Sequence, residues 1–446
     1  MTLLTLPLFI DTAPLTYPEL SSFVIGEKVH EGHSLYSELI DSTPPLASWL
    51  YGLMDILFGR SLTIRHVLAF LILFSQSAFL GIMLIDKKAF AENTYIPSLL
   101  FSLLAFISFD SLSLTAELLA SGFILLTLNN LFKEIEFRIQ RDETIFNLGL
   151  FISLASLLQF SHIIYLPGAI LVLLIFTRSN ARKYLLLVLG FLLPQLFLIS
   201  VYFLSGNSQS LWEFFYLPNF RFATESLIST TSLLLLCAIP LLYLFISLFI
   251  LNRDARLTKY QSQIFQAMFV WFVVAVIEVL FTSDRRPQSL ITLIPPVSFF
   301  LTHFLLLIRR RKFADIHLWV LLIGIVTVAY LARYNKIEEI RYDRLVVNQS
   351  SALKGKRILV LDDQPALYLE NQLATAFYDW SIAQSIFEQP GYYENLLMVS
   401  RSFEADLPEV IIDPKNLMTA FFERLPALAA RYEKSPEGYR LIKISN

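Results

Sequence analysis

The chain has 446 residues, 55% of them hydrophobic and only 16% charged, with a mean hydropathy of +0.59. Soluble domains carry nearer a quarter charged residues, so the balance points away from a cytosolic enzyme and toward a bilayer-embedded protein. A formal net charge of -2 argues against a nucleic-acid binder held by bulk positive charge. The single cysteine, Cys237, allows neither an intramolecular disulfide nor a cysteine-based zinc cluster.

Residues 1–10 (MTLLTLPLFI) are apolar but too short to cross a bilayer, which takes about 20 mostly apolar residues. They read as the end of a first span or as a surface helix. They lack the basic n-region and small-residue cleavage site of a signal peptide. Residues 11–63 form a long first loop carrying Asp11, Glu19, Glu27, Glu31, Glu38 and Asp41, with His30 and His33, ahead of and around the pair Pro44-Pro45. Leu20, Phe23 and Val24 within it have the spacing of an amphipathic piece lying flat on the membrane surface. The plain alternative for any of these carboxylates is a solvated acidic loop.

Ten apolar stretches follow, at 64–85, 95–110, 114–132, 146–161, 163–177, 184–204, 227–251, 264–282, 289–308 and 315–332. Ten or eleven spans are therefore expected, in an all-α polytopic membrane domain over 1–332. Lys and Arg orient them, because cytoplasmic loops collect basic residues. One set of alternating loops holds Lys87 and Lys88; Lys133, Arg138 and Arg141; Arg178, Arg182 and Lys183; Arg253, Arg256 and Lys259; and Arg309 to Lys312. The opposite loops hold only Lys28, Arg60, Arg221, Arg285 and Arg286. Fifteen against five places the first set in the cytoplasm, and the first loop and the tail outside it.

Three outward features carry chemistry. The turn SFDSLSLTAELLA (108–120) puts Asp110 at its base and Glu117 about one turn into the next helix. A carboxylate inside a span is costly and marks a functional position, although the helix N-terminus by itself also tolerates the charge. SDRRP (283–287) breaks the charge pattern with Arg285 and Arg286. The planar guanidinium matches phosphate oxygens bidentately, so these arginines are candidates for a lipid phosphate; pairing with Asp284 is the plain reading. Glu278, near the outer end of its span, is a candidate partner for either arginine. SLWEFFYLPNFRF (210–222) has the aromatic content of an interfacial belt, and His66, His162 and His303 read as packing residues rather than metal ligands.

The tail, 333–446, alternates short apolar runs (ILVLDD at 358–363, VIID at 410–413, YRLIKI at 439–444) with stretches of helical spacing: Leu369, Leu373, Phe377 and Trp380, then Phe421, Leu425 and Ala429. That alternation predicts a small extracytoplasmic α/β domain with a parallel sheet, acting as an accessory lid or docking surface for envelope partners. It has no glycine-rich phosphate turn.

These words resemble the GT-C superfamily of membrane glycosyltransferases, the group of protein O-mannosyltransferases and lipid A aminoarabinose transferases. The resemblance lies in YPEL (17–20), GEKVHEGHSLYSELID (26–41), TPPLASWLYG (43–52) and LFGRS (57–61), with LTAELLA around Glu117 and RRPQSLITLIPP (285–296) as looser matches. It implies a sugar donor carried on a polyprenyl phosphate, gripped by Arg285 and Arg286 with Asp110 and Glu278 nearby. Glu19, or else Asp11 or Asp41, would be the base, and Glu117 would orient the acceptor or a divalent cation; no clean metal-ligand set is present. Pro18 stands where the family carries an aspartate, and Thr43 where it carries a basic residue. The competing reading is therefore an inactive GT-C-like scaffold that binds envelope partners. A secondary transporter would need an internal repeat with broken helices, and none is seen. The implied location is the bacterial inner membrane.

Overall fold

The computed structural model describes residues 5, 13–136, 141–177, 180–221, 225–254, 257–282, 284–347 and 353–442. The chain divides into two compact units. The first comprises Met1–Pro14, Ser61–Leu198 and Phe222–Leu345; the second comprises Leu15–Arg60, Ile199–Arg221 and Val346–Asn446. The tail thus folds with the first loop and with 199–221, segments that a boundary at 332 would assign to the membrane domain.

The protein is an integral membrane protein. Among the described residues, six helices are long and apolar enough to cross a bilayer: Leu62–Asp86, Ala116–Ile135, Ala181–Leu204, Lys259–Phe281, Pro287–Leu307 and Arg311–Arg333. The pair Thr230–Leu236 and Ala238–Arg253, bent by 65° at Cys237, makes a seventh if counted as one span. The other three expected spans are shorter helices: Ile96–Leu104, Asp142–Leu158 and Tyr165–Phe176. The reason lies in polar residues at one end of each. Phe109–Leu112 and Phe160–Ile164 turn into 3₁₀ helices, and the nearby Thr115 and Ser161 hydroxyls reach other helices, so residues that hydropathy counts as span are used in turns.

Burial within the first unit grades the helices. Ala116–Ile135 and Pro287–Leu307 have 67% and 78% of their apolar windows buried, whereas Arg311–Arg333 has 11%. The first two are therefore central. Close approach is achieved with small residues: a Cβ on Gly149 would lie 2.0 Å from the Leu187 carbonyl oxygen, and one on Gly190 would lie 2.1 Å from that of Phe146. Helices 142–158 and 181–204 thus touch backbone to backbone.

In the second unit the helix Tyr17–His30 buries Leu20, Phe23 and Val24 completely or nearly so. They pack in a protein core rather than lying on a membrane surface. The exposed apolar face belongs instead to Pro45–Phe58, where Trp49, Leu53, Ile56 and Leu57 recur at helical spacing. A five-stranded sheet runs in the order 372–373, 357–360, 410–412, 438–441, 432–435. Its first three strands are parallel and the last two antiparallel, so the expected parallel sheet is mixed. The spacing Leu369, Leu373, Phe377 and Trp380 does not form one helix; Gln372–Leu373 is an edge strand and the helix begins at Trp380. The first loop is stitched to this domain within the unit. Ile40 N donates to Ala376 O, and buried Lys28 pairs with Asp406 at 2.9 Å.

Candidate functional site

The helix Ala116–Ile135 starts where Thr115, its N-cap, accepts a hydrogen bond from Leu118 N on its hydroxyl. Glu117 therefore falls in the first turn, where the helix dipole favours a carboxylate. A second interaction adds to this. Arg286 Nη2 donates to Glu117 Oε2 at 3.2 Å, and both side chains are 4% exposed. Glu117 Oε1 and Arg286 Nε and Nη1 are buried without a hydrogen-bond partner among the described residues. An arginine held on one edge, with two donors left unused, is prepared for an oxyanion.

Arg286 immediately precedes the 3₁₀ helix Pro287–Leu293. Ser289 closes the turn, its hydroxyl accepting from Arg286 N and donating to Arg286 O. Gln288 ties this helix to the preceding turn. Its backbone N donates to Asp110 Oδ2 at 2.9 Å, its Oε1 accepts from Thr115 Oγ1 at 2.8 Å, and its Nε2 donates to Ser113 O at 2.7 Å. Asp110 is thus fixed beside the same junction.

Gln288 also lines an apolar cavity of about 200 Å³, together with Ser111, Leu241, Phe272, Ile294 and Cys237. The bent pair at Cys237 forms one wall, with Leu233, Cys237 and Leu241 facing the cavity. The cavity wall at Gln288 is thus two residues along the chain from the buried Arg286.

The remaining candidates are distributed as follows. Arg285 does not share the Glu117 pair; its Nη2 donates to Leu280 O, and its backbone pairs with Ser226 in a two-residue parallel ladder. Glu278 does not pair with either arginine. Its carboxylate accepts from Ser161 Oγ at 2.5 Å and Thr292 Oγ1 at 3.0 Å, with His162 Nδ1 at 3.6 Å. His303 packs among the rings of Phe90, Phe265 and Phe299. Among the described residues, no group of three or more His, Cys, Asp or Glu is placed to hold a metal ion.

Glu19 and Asp41 belong to the second unit, and Asp11 lies outside the described residues. Glu19 is the third residue of its helix and completes a capping box: its Oε2 accepts from Thr16 N at 3.0 Å and Thr16 Oγ1 at 2.9 Å. Asp41 accepts from Thr43 N at 2.6 Å, a local turn that leads into Pro44-Pro45. Beside it the Tyr36 hydroxyl donates to Thr43 O. Burial, then the neighbouring Tyr202 and Asp41, hold that phenol well above its usual range. The aromatic segment expected as a belt is half interior: Phe214, Phe215 and Tyr216 are buried, while Trp212 and Phe220 are exposed.

Gln288 and Cys237 escaped the sequence reading. An amide following Arg-Arg-Pro carries no signal of its own, and a lone cysteine in an apolar run reads as filler. The role of Glu19 as a cap was also missed; Thr16-x-x-Glu19 with Pro18 in the first turn is the signal that could have found it.

The geometry can be set beside known proteins. A family model described as "Family of unknown function (DUF6427)" matches residues 47–338. No curated protein matches the sequence. The crystal structure of ArnT from Cupriavidus metallidurans bound to undecaprenyl phosphate is similar at a TM-score of 0.53 and 15% identity, over 79% of this chain and 65% of that one. The apo form of the same ArnT aligns at 0.50 and 17%, over 75% and 63%. Archaeal oligosaccharyltransferase AglB from Archaeoglobus fulgidus, in complex with an inhibitory peptide and a dolichol-phosphate, aligns at 0.45 and 11%, over 97% and 71%. The chain spans less than two thirds of the length of the ArnT structures it matches. The likeness to ArnT is one of fold, a GT-C-like arrangement of membrane helices with a smaller sheet-containing region.

Proposed function

The chain belongs to the family of unknown function DUF6427, and from its fold and site we propose that it is a membrane glycosyltransferase using a polyprenyl-phosphate sugar donor. One observation carries the reading: buried Arg286, paired to Glu117 through Nη2, keeps Nε and Nη1 without a partner among the described residues, and Gln288, two residues on, lines an apolar cavity. That combination suits a ligand with an anionic head and an apolar tail. ArnT, a similar fold, was crystallised with undecaprenyl phosphate, which has this chemistry.

In the proposed reaction an acceptor hydroxyl oxygen bonds to the anomeric carbon while the bond from that carbon to the phosphate oxygen breaks. The electron pair leaves on the phosphate, where the Arg286 donors meet the charge. The hydroxyl proton passes to a carboxylate. Glu19 is poorly suited to this task, since its Oε2 already accepts two hydrogen bonds that favour the ionised form and weaken it as a base. Glu117, whose Oε1 has no hydrogen-bond partner among the described residues and which stands beside Arg286, takes that role in this reading.

The site opens on the outer face of the bacterial inner membrane in this reading, with 346–446 as an extracytoplasmic domain for envelope partners. The alternation of basic loops supports that orientation, and it requires the shorter helices 96–104, 142–158 and 160–176 to cross as well. A second reading, the inactive scaffold, is favoured by the use of Glu19 as a cap and by Pro18 in place of an aspartate.

Complementation of a deletion strain separates them. Glu117→Gln should lower the surface glycan that the wild-type gene restores, per molecule of folded protein present, by the roughly 10²–10⁴-fold that a general base supplies. Full restoration by Glu117→Gln would leave the scaffold.

A further inference from the structure

The hydrogen bonds of Gln288 do more than fill a buried position. The Ser113 carbonyl can only accept, so the Gln288 amide turns Nε2 toward it, and Oε1 then accepts the Thr115 hydroxyl proton. The amide orientation is then set. With its backbone N on Asp110, Gln288 makes three contacts to residues 110–115, the turn that delivers Glu117. Two residues before Gln288 stands Arg286, and the Gln288 side chain, 2% exposed, also walls the apolar cavity. Gln288 therefore ties the segment that begins at Arg286 to the turn that leads to Glu117, and lines the cavity as well.

We propose that Gln288 is the positioning residue of this site: its three hydrogen bonds hold Arg286 and Glu117 in register with the apolar cavity, so that head and tail of one lipid phosphate are bound together. The inference rests on the lipid-phosphate reading above. Arg286 and Glu117 come from segments 169 residues apart, and a 3₁₀ helix is a weak spacer. Without the Gln288 contacts, the 286–293 segment could slide along the 110–117 turn, and the tail would be seated without its phosphate meeting the guanidinium. Gln288→Met keeps the volume and the cavity wall but removes both side-chain bonds. Gln288→Glu keeps the Thr115 bond and sets a carboxylate oxygen against the Ser113 carbonyl.

The experiment uses the full chain in nanodiscs and compares two probes, undecaprenyl phosphate and the phosphate-free alcohol undecaprenol. Gln288→Met, which loses both side-chain hydrogen bonds, should bind undecaprenyl phosphate about tenfold or more weakly, and Gln288→Glu, which loses one and sets a carboxylate against the Ser113 carbonyl, should weaken binding as well. Their affinity for undecaprenol should stay at the wild-type value. Thr115→Val, which removes the donor to Gln288 Oε1, should reproduce part of the loss. A residue that is merely structural would lower the thermal midpoint but leave the folded protein's preference for the phosphate unchanged. That outcome, with Arg286→Met still losing the preference, overturns the proposal alone. Equal affinity of the wild-type chain for the two probes overturns the lipid-phosphate reading, and the proposal with it.

Discussion

Replacing Arg286 by Met tests the ion pair and the ligand site separately. The pair is 3.2 Å long and its side chains are 4% exposed, so solvent screens it little. Removing one partner of such a pair leaves a buried, uncompensated charge and costs about 3–5 kcal/mol. Arg286→Met should therefore lower stability by about that much, through the carboxylate it strands at Glu117. Adding Glu117→Gln removes the stranded charge, and paired uncharged replacements of a buried ion pair are often close to neutral. The double variant should recover most of the lost stability. Lipid binding should not recover. Two charge-assisted hydrogen bonds to phosphate, at about 1.5–3 kcal/mol each, correspond to a loss of about 10²–10⁴-fold in affinity. Thermal unfolding in detergent and native mass spectrometry of bound undecaprenyl phosphate report the two quantities independently. A double variant that is stable and still binds the lipid phosphate as the wild type does would refute the assignment of Arg286.

Glu19→Gln should cost only about 1 kcal/mol in stability, the value of a capping interaction, and leave surface-glycan production intact; a glycan lost at normal protein level would return Glu19 to the site. Cys237 lines the cavity and is the chain's one thiol, so N-ethylmaleimide labelling should slow when undecaprenyl phosphate or undecaprenol is bound. Unchanged labelling under saturating lipid would put the tail elsewhere. Lys28→Met should destabilise the second unit toward the lower end of about 3–5 kcal/mol, because Arg357 remains with Asp406, and should leave lipid binding unaltered. Thermal unfolding followed alongside lipid affinity checks both halves of that statement.

Much of the membrane core was legible, for hydropathy directly measures the ability of a helix to sit in lipid. Seven of the ten apolar stretches correspond to full-length helices, counting the bent pair as one. Hydropathy fails where polar residues near the membrane surface turn the chain, as at Ser108–Ser113 and Gln159–His162. Periodicity marked Leu20, Phe23 and Val24 as one buried face, but the pattern says only that a face leaves water, not what it meets. Those residues pack in protein, and lipid or another apolar surface is offered by Trp49, Leu53, Ile56 and Leu57 instead.

The candidate site was half legible. Glu117 and Arg286 stood out because ionisable groups are costly at such positions, yet nothing local joins residues 169 apart. Glu278 looked like the natural partner of the arginines from its place in the chain. The fold gives it Ser161 and Thr292 instead, and the arginine goes to Glu117. Short strands at 372–373 and 432–435 were missed for a related reason: two to four residues on a sheet edge carry too little pattern of their own.

The central claim is that the Arg286 cluster and the apolar cavity form one polyprenyl-phosphate site. A cryo-EM map of the chain in nanodiscs with undecaprenyl phosphate tests it most directly. The account predicts phosphate density within hydrogen-bond distance of Arg286 Nε or Nη1, continuous with tail density that enters the cavity past Gln288 and Cys237. Lipid phosphate resolved at another position, with the Arg286–Glu117 pair closed and the cavity empty, would contradict it.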